Sequence, residues 1–394
     1  MKGSIKKIML SGCVLALLYS TALRAVADEK QFHRFWPDNL FAVEFFNEKI
    51  GFVAGEAGTV LRTINAGESW EAFFIGKPEL IRRFSFVSET EGWAVGHRGS
   101  IFHTANSGAT WETQHSSEGI YLRDIQFFDR KHGWAVGHGA EILYTQDGGL
   151  SWAKQHLTGY KGRDLPRLHG VEVIDERTAI LVGEFGVIAH TEDAGEHWII
   201  TPVDTKVTWL SLALSQDCIY VVGLDGNAAC LTVASEQQRE EIDKNLAQRY
   251  AKEQEKARKK AARRGQKYSA PLKDDIPRSA VEYVVTPITT GSTEHLFDVV
   301  KLSDGGALTV GRSTVVRLRQ GKGMPLEATE GLPIDYLWFG GVGFSSTDQF
   351  WAVGIQGLVI KGDVSQMSYS AALSLPKSEN IKLVSSRWVK ENGR

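Results

Sequence analysis

Between Tyr121 and Leu157 the apolar positions fall into four short runs: Leu122–Phe128, Gly133–Gly137, Glu141–Thr145 and Trp152–His156. Each is rich in aromatic or β-branched residues and is bounded by Gly, Asp, Asn, Lys or His, which predicts four strands joined by tight turns. The same order of parts stands 41 residues earlier as LIRRFSF, GWAVGHRG and SIFHTANSGATW. A four-strand unit repeated at such a period predicts propeller blades.

The Val-Gly or Ala-Gly that ends each second strand can be followed along the chain. It falls at Gly55, Gly96, Gly137, Gly183, Gly223, Gly311 and Gly354, in steps of 41, 41, 46, 40, 88 and 43 residues. The doubled step holds no further blade, because the stretch from Val233 to Ala280 is charged and helix-forming. Seven repeats fit a closed ring, which leaves no sheet edge unprotected, better than an open β-solenoid, which lacks the four-strand unit. The expected fold is all-β: a seven-bladed β-propeller with a long charged helical insertion in blade five.

A second pattern lies between third and fourth strands: Thr63–Trp70, Thr104–Trp111, Thr145–Trp152 and Thr191–Trp198 share Thr-x-Asp/Asn-x-Gly and a final Trp. The Asp or Asn side chain can bond nearby backbone N–H groups, and the Gly takes a positive φ, so the pattern specifies a hairpin. These boxes are the Asp-box, or BNR, repeats of sialidase-like propellers. With the GWAVG-type second strands, the chain resembles the photosystem II stability/assembly-factor family, as a bacterial exported member. The resemblance covers most of residues 40–374 and is strongest in blades one to four. It implies a non-enzymatic factor that assists a membrane-protein subunit through an Arg-rich patch on one propeller face. The insertion departs from the family pattern, so the client does not carry over.

Residues 1–27 read as a cleaved secretory signal: Lys2, Lys6 and Lys7, an apolar run from Ile8 to Tyr19, and Ala25-Val26-Ala27 before Asp28. Leu10-Ser11-Gly12-Cys13 resembles a lipoprotein box, but the apolar run continues past it. The expected location is therefore the periplasm, or the thylakoid lumen in a photosynthetic host. Residues 28–39 form a lead, 40–374 the propeller with its insertion at about 235–280, and 375–394 a tail. A net charge of −2 gives no whole-protein field for nucleic acid. Cys218 and Cys230 flank a hairpin about two residues out of register. A disulfide needs Cα atoms within roughly 7 Å, so free thiols are favoured.

Strand alternation sorts the loops into two faces. The boxes lie on one; the turns between second and third strands lie on the other, the upper face. There stand Glu56, His97, Arg98, His138, Glu184, Asp225 and Arg312, and, at the starts of inner strands near the central funnel, Arg82, Arg83, Arg123, Arg167 and His169. Arginine's planar fork suits carboxylates and backbone carbonyls and favours interfaces. Arg82, Arg83 and Arg123 are the expected counterparts of the family's patch, with His97, Arg98, His138, Arg167 and His169 around them. The alternative is that these charges pair with Glu56, Glu184 and Asp124 and line a wet funnel.

A glycan hydrolase or glycan-binding propeller is the competing class. A glycosidase needs two close carboxyl groups, whereas Glu56 and Glu184 lie nearly across the ring. Two His on equivalent turns, without a spaced third ligand, make no metal site. No catalytic residue, metal or cofactor is assigned. In the insertion, Ser235 and Gln238 form a capping box, Gly265 a stop, and Ile242, Leu246 and Tyr250 an apolar stripe. Arg258, Lys259, Lys260, Arg263 and Arg264 make a basic arm for anionic headgroups or an acidic partner, or a solvated surface. Blade five resumes at Val281–Thr286. Met367–Leu375 or Gln31–Trp36 supplies the last strand of blade seven.

Overall fold

The structure, a computed structural model, describes residues 38–265, 283–371 and 381–383, apart from loop positions 161, 202, 204, 205, 217, 330, 331 and 333. Residues 1–27, expected to be a signal, and Gln31–Trp36 lie outside them. Seven sheets follow one another, each with four antiparallel strands built outwards from an inner strand. The inner strands are Leu40–Phe45, Ile81–Phe86, Leu122–Phe127, Leu168–Val173, Trp209–Leu214, Leu296–Lys301 and Phe339–Phe344. Each lies beside the next and the last beside the first, so the ring closes.

The core lies between neighbouring sheets. The second strands Gly51–Gly55, Gly92–Gly96, Gly133–Gly137, Ala179–Gly183, Ile219–Gly223 and Ala307–Gly311 are buried at every residue, which explains their unbroken apolarity. The terminal glycine of these strands has a steric cause. At Gly55, Gly137, Gly183, Gly223, Gly311 and Gly354 a Cβ would lie 1.8–2.4 Å from the carbonyl oxygen of the residue preceding the inner strand. That close approach lets the next residue's N–H donate to the same carbonyl. His138 to Tyr121 at 2.9 Å and Arg312 to His295 at 2.9 Å are two examples.

The Asp boxes close as their chemistry requires. The hydroxyls of Thr63, Thr104, Thr145 and Thr191 accept from the N–H groups of Gly67, Gly108, Gly149 and Gly195 at 2.8–2.9 Å. The side-chain oxygens of Asn65, Asn106, Asp147 and Asp193 accept from the N–H four residues on. Their tryptophans turn inwards: Trp70 meets Trp351 of blade seven edge-on, and Trp198 meets Trp134 of blade three likewise.

Three points differ from the sequence reading or go beyond it. The fourth strand of blade five is Tyr283–Ile288, two residues later than expected. Cys218 and Cys230 form a disulfide with Cα atoms 5.7 Å apart. Cys230 is registered with Tyr220, so the offset is as read. Cys218, however, precedes Ile219 and is not held to the pleat of the ladder. The outer strand of blade seven is Ser368–Ala371, and Ile381–Leu383 adds in parallel to Trp70–Ala72 of blade one. Between the third strand of blade five, Ala228–Val233, and its fourth runs a 28-residue helix, Glu236–Arg263, opened by the Ser235/Gln238 capping box.

One polar cluster crosses the channel. The Arg83 guanidinium donates from both Nη atoms to Asp298 at 2.8 Å and from Nε to Asp124 at 3.2 Å. Asp298 also accepts from Ser211 Oγ at 2.8 Å and from the Val342 N–H at 2.9 Å. Asp124 accepts from the Val171 N–H at 2.9 Å. Blades two to seven are thereby joined through the side chains of Arg83, Asp124, Asp298 and Ser211. Burial opposes the Arg83 charge, but Asp298 and Asp124 outweigh it and raise its pKa. Removing one partner of such a buried pair leaves the other uncompensated, at a cost of about 3–5 kcal/mol. Asp298→Ala is therefore expected to lower the denaturation free energy by that amount, and Arg83→Met in the same chain to restore much of it. A loss below about 1 kcal/mol in a urea titration would show that the cluster does not hold the ring.

Candidate functional site

In all seven blades the pairing of first and second strands slips at one place, the second residue of the inner strand. The slip follows from the pinch at the glycine: the inner strand is drawn to the second strand at its first residue and must bulge to rejoin the ladder. A bulge turns the extra residue out of the normal alternation. The bulged residues are Phe41, Arg82, Arg123, His169, Leu210, Phe297 and Gly340, and they form a ring on the upper side of the channel.

This ring is divided by charge. Blades two to four contribute Arg82, Arg123 and His169, and the turns above add His97, Arg98, Tyr121, His138 and Arg167. His97, Tyr121 and His138 form one group, with ring centroids 4.7, 5.3 and 6.2 Å apart. Among the described residues neither Arg82 nor Arg123 has an ion-pair partner, and the Nε of each is buried without a hydrogen bond. The same holds for His97 Nδ1 and His138 Nε2. Arg82 lies over the Phe41 ring at 4.6 Å, which orients its guanidinium without neutralising it.

Burial first, and like charge second, lowers the pKa of each of these groups. Burial, with the Arg123 and Arg83 charges added, lowers the Arg82 pKa to about 9. Burial and Arg167 lower that of Arg123. Burial, Arg123 and Arg167 push His138 down to about 4; burial, Arg123 and His138 push His169 down to about 3. His97 is lowered by burial and by Arg82 and Arg123. An anion seated here would offset the like-charge part of these shifts, though not the part due to burial.

The eight upper-funnel residues expected from the sequence thus separate. Arg82, Arg123, His97, His138 and His169 come together, with exposed Arg167 and Arg98 on the rim. Arg167 Nε is 3.8 Å from Glu184. Arg83 is the correction: its fork is engaged by Asp298 and Asp124 in the plug beneath, so it holds the floor of the funnel and its donors are already taken. Glu56 bonds Asn39. Phe41, Phe297, Trp338 and Tyr121, which complete the funnel, were not singled out by sequence reasoning. The signal that finds them is the alignment of the seven inner strands at their second residue, with the residue just before.

Below the plug the channel widens to a cavity of about 430 Å³ lined by Glu44, Ser85, Gln126 and Glu172. Burial raises Glu44 and Glu172 to about 7. The insertion helix leaves the opposite face from the funnel, and Arg258, Lys259, Lys260, Arg263 and Arg264 are exposed along its last turns.

Two solved structures of YCF48 resemble this chain. "YCF48 bound to D1 peptide" is 13% identical, with 83% of this chain and 92% of that one covered at a TM-score of 0.56. YCF48 from Cyanidioschyzon merolae is 13% identical, with 84% and 97% covered at 0.58. An ancestral GH74 enzyme is 12% identical, with 87% of this chain and 47% of that one covered at 0.55. At these identities the likeness establishes the fold alone. No curated protein matches the chain. The family model described as photosynthesis system II assembly factor YCF48 matches residues 24–120 and 113–231, just over half of the sequence, and the chain belongs to that family.

Proposed function

We propose that the chain is a non-catalytic exported factor, in the periplasm or thylakoid lumen, that binds a segment of a membrane or envelope protein and assists its assembly or stability. The observation that carries this reading is the cationic arc: Arg82 and Arg123, desolvated and without carboxylate partners, above a plug that closes the channel. Such groups are a ready site for an acidic side chain or a chain-terminal carboxylate, which would supply the missing bonds. Family membership supports the reading, as does a relative solved with a D1 peptide. Glycan hydrolysis is less well supported, because the carboxylates of the plug and Glu56 are engaged: Asp124 and Asp298 by Arg83, and Glu56 by Asn39. The basic end of the insertion helix offers a second contact, to anionic headgroups.

Arg82→Glu and Arg123→Glu should each weaken partner binding by at least about 2 kcal/mol while leaving the denaturation midpoint nearly unchanged. The check is affinity capture from gently solubilised membranes with the mature chain and both variants. One membrane protein recovered in stoichiometric amount and lost with either variant supports the reading; capture unaffected by both would sink the site.

Affinity should also depend on pH. His97 and His138 have depressed pKa values in the free protein and are neutral at pH 7. A carboxylate seated beside them, among Arg82, Arg123, Arg167 and His169, raises those values, so binding takes up protons. The extra affinity is complete below the free pKa and is lost as pH rises through the bound one. Titration calorimetry from about pH 8 to about pH 5.5 should show tightening with proton uptake, and pH-independent binding would exclude the histidines from the site. For the arm, replacing Arg258, Lys259, Lys260, Arg263 and Arg264 by Gln should abolish salt-sensitive sedimentation with phosphatidylglycerol vesicles. Undiminished sedimentation would leave the arm a solvated surface.

A further inference from the structure

The half of the ring opposite the cationic arc is apolar, and its rings are ordered. Blades six, seven and one contribute Phe297, Gly340 and Phe41 at the bulge. Trp338, from the connection into blade seven, covers the vacant place of Gly340, where a Cβ would lie 2.9 Å from its indole and 3.1 Å from Phe41. Phe297 and Trp338 meet edge-on with centroids 6.5 Å apart, and Trp338 and Phe41 are 5.2 Å apart and inclined at 31°. Phe41 then carries Arg82 on its face at 4.6 Å. An aromatic ladder therefore runs from blade six to the first arginine of the cationic arc. Beside it a recess of about 370 Å³ is lined by Phe297, Trp338, Leu337, Tyr336, His295 and Arg312, with Asp335 at its edge. Tyr336 stands 83% exposed at its mouth.

We infer that this recess is a second subsite of the same groove, and that it takes a bulky apolar side chain, aromatic above all, of the peptide segment whose carboxylate is held by Arg82 and Arg123. The inference rests on the binding role proposed above and adds a specificity to it. Edge and face of ladder rings are both presented, as an aromatic guest requires, and the recess is continuous with the arc through Phe41. The spacing of the two groups is bounded. Along the ladder, Arg82 and Phe297 are separated by at most about 16 Å. An extended chain covers that in about five residues, so acid and aromatic residue lie within about five positions of each other. A neutral oligosaccharide would also stack on aromatic rings, but it would leave the unpaired guanidinium groups of the arc unsatisfied.

The test uses the full mature chain and fluorescein-labelled octapeptides of Gly and Ser. One carries two Asp and, three residues before them, a Phe; a second has Ala for the Phe; a third has Asn for both Asp. Fluorescence polarisation should show the Phe peptide binding about tenfold tighter than its Ala counterpart. Trp338→Ala should bring the Phe peptide down to the level of the Ala peptide and leave the latter unchanged, whereas Arg82→Gln should weaken both. Trp338→Leu, which keeps an apolar cover over Gly340, gives the same reading should the truncation unfold the chain. Equal binding of Phe and Ala peptides, still lost with Arg82→Gln, would overturn the aromatic subsite and leave the cationic site standing. If none of the acidic peptides binds, both fall. Trp338-dependent binding of cellohexaose that survives Arg82→Gln would overturn the peptide assignment in favour of a glycan.

Discussion

The fork of Arg83, held between Asp298 and Asp124, is the contact on which the rest of the ring depends. A propeller has no strand running across its axis, so the inner strands are joined only to their neighbours unless a side chain spans the channel. Arg83 does so from blade two to blade six. The two aspartates extend the link to the backbone of blades four and seven and to Ser211 of blade five. A guanidinium, always charged and bearing donors in a rigid fork, is suited to satisfying two carboxylates at once. The cluster also divides the channel, with a cationic and aromatic funnel above and a cavity lined by two half-buried glutamates below. Everything assigned to the funnel presupposes this floor.

The second constraint is the glycine at the end of each second strand. Its missing side chain lets a carbonyl approach to within the space of a Cβ, and the resulting pinch forces a bulge one residue into the inner strand. This local event, with the same bulge in all seven blades, turns six side chains and the bare Gly340 towards the funnel. The residues chosen at that position are free to vary because the backbone, not they, produces the geometry. That freedom is seen in the ring itself: two arginines, a histidine, two phenylalanines, a leucine and a glycine on one scaffold.

The fold was legible because its signals are local and recur. The blade period, the buried second strands and the boxes each state their structure in a few adjacent residues, and the count of seven follows from the Val-Gly steps. The site was legible only by residue type. Arg82 and Arg83 are neighbours, and strict alternation would send them to opposite faces; the bulge places both at the channel, one above the other with opposite roles. Nothing in the pair itself distinguishes them, since the partner that engages Arg83 lies 215 residues away. The aromatic arc was hidden for another reason. Phe41 and Phe297 look like core residues of their own strands, and only a comparison of LFAVEF, IRRFSF, LRDIQF, LHGVEV, WLSLAL, LFDVVK and FGGVGF position by position sets them apart, while Trp338 stands one residue before the last of these.

The antiparallel order of each blade separates two surfaces that can change independently. The bulged ring and the turns above it stand at one end of the strands; the boxes, and the insertion helix that replaces one of them, stand at the other. A box is a closed hairpin whose polar groups bond one another, so it contributes stability and little recognition. Blade five gives up that stability at a place where an insertion enters without disturbing the funnel, since its third and fourth strands still pair over six residues, from Ala228 with Ile288 to Val233 with Tyr283. The disulfide from Cys218 to Cys230 ties the second strand of the same sheet to the third, on the side from which the helix departs. A covalent tie at the root of the only helical insertion among the described residues is placed where the missing box would otherwise have braced the hairpin, and it leaves the funnel untouched.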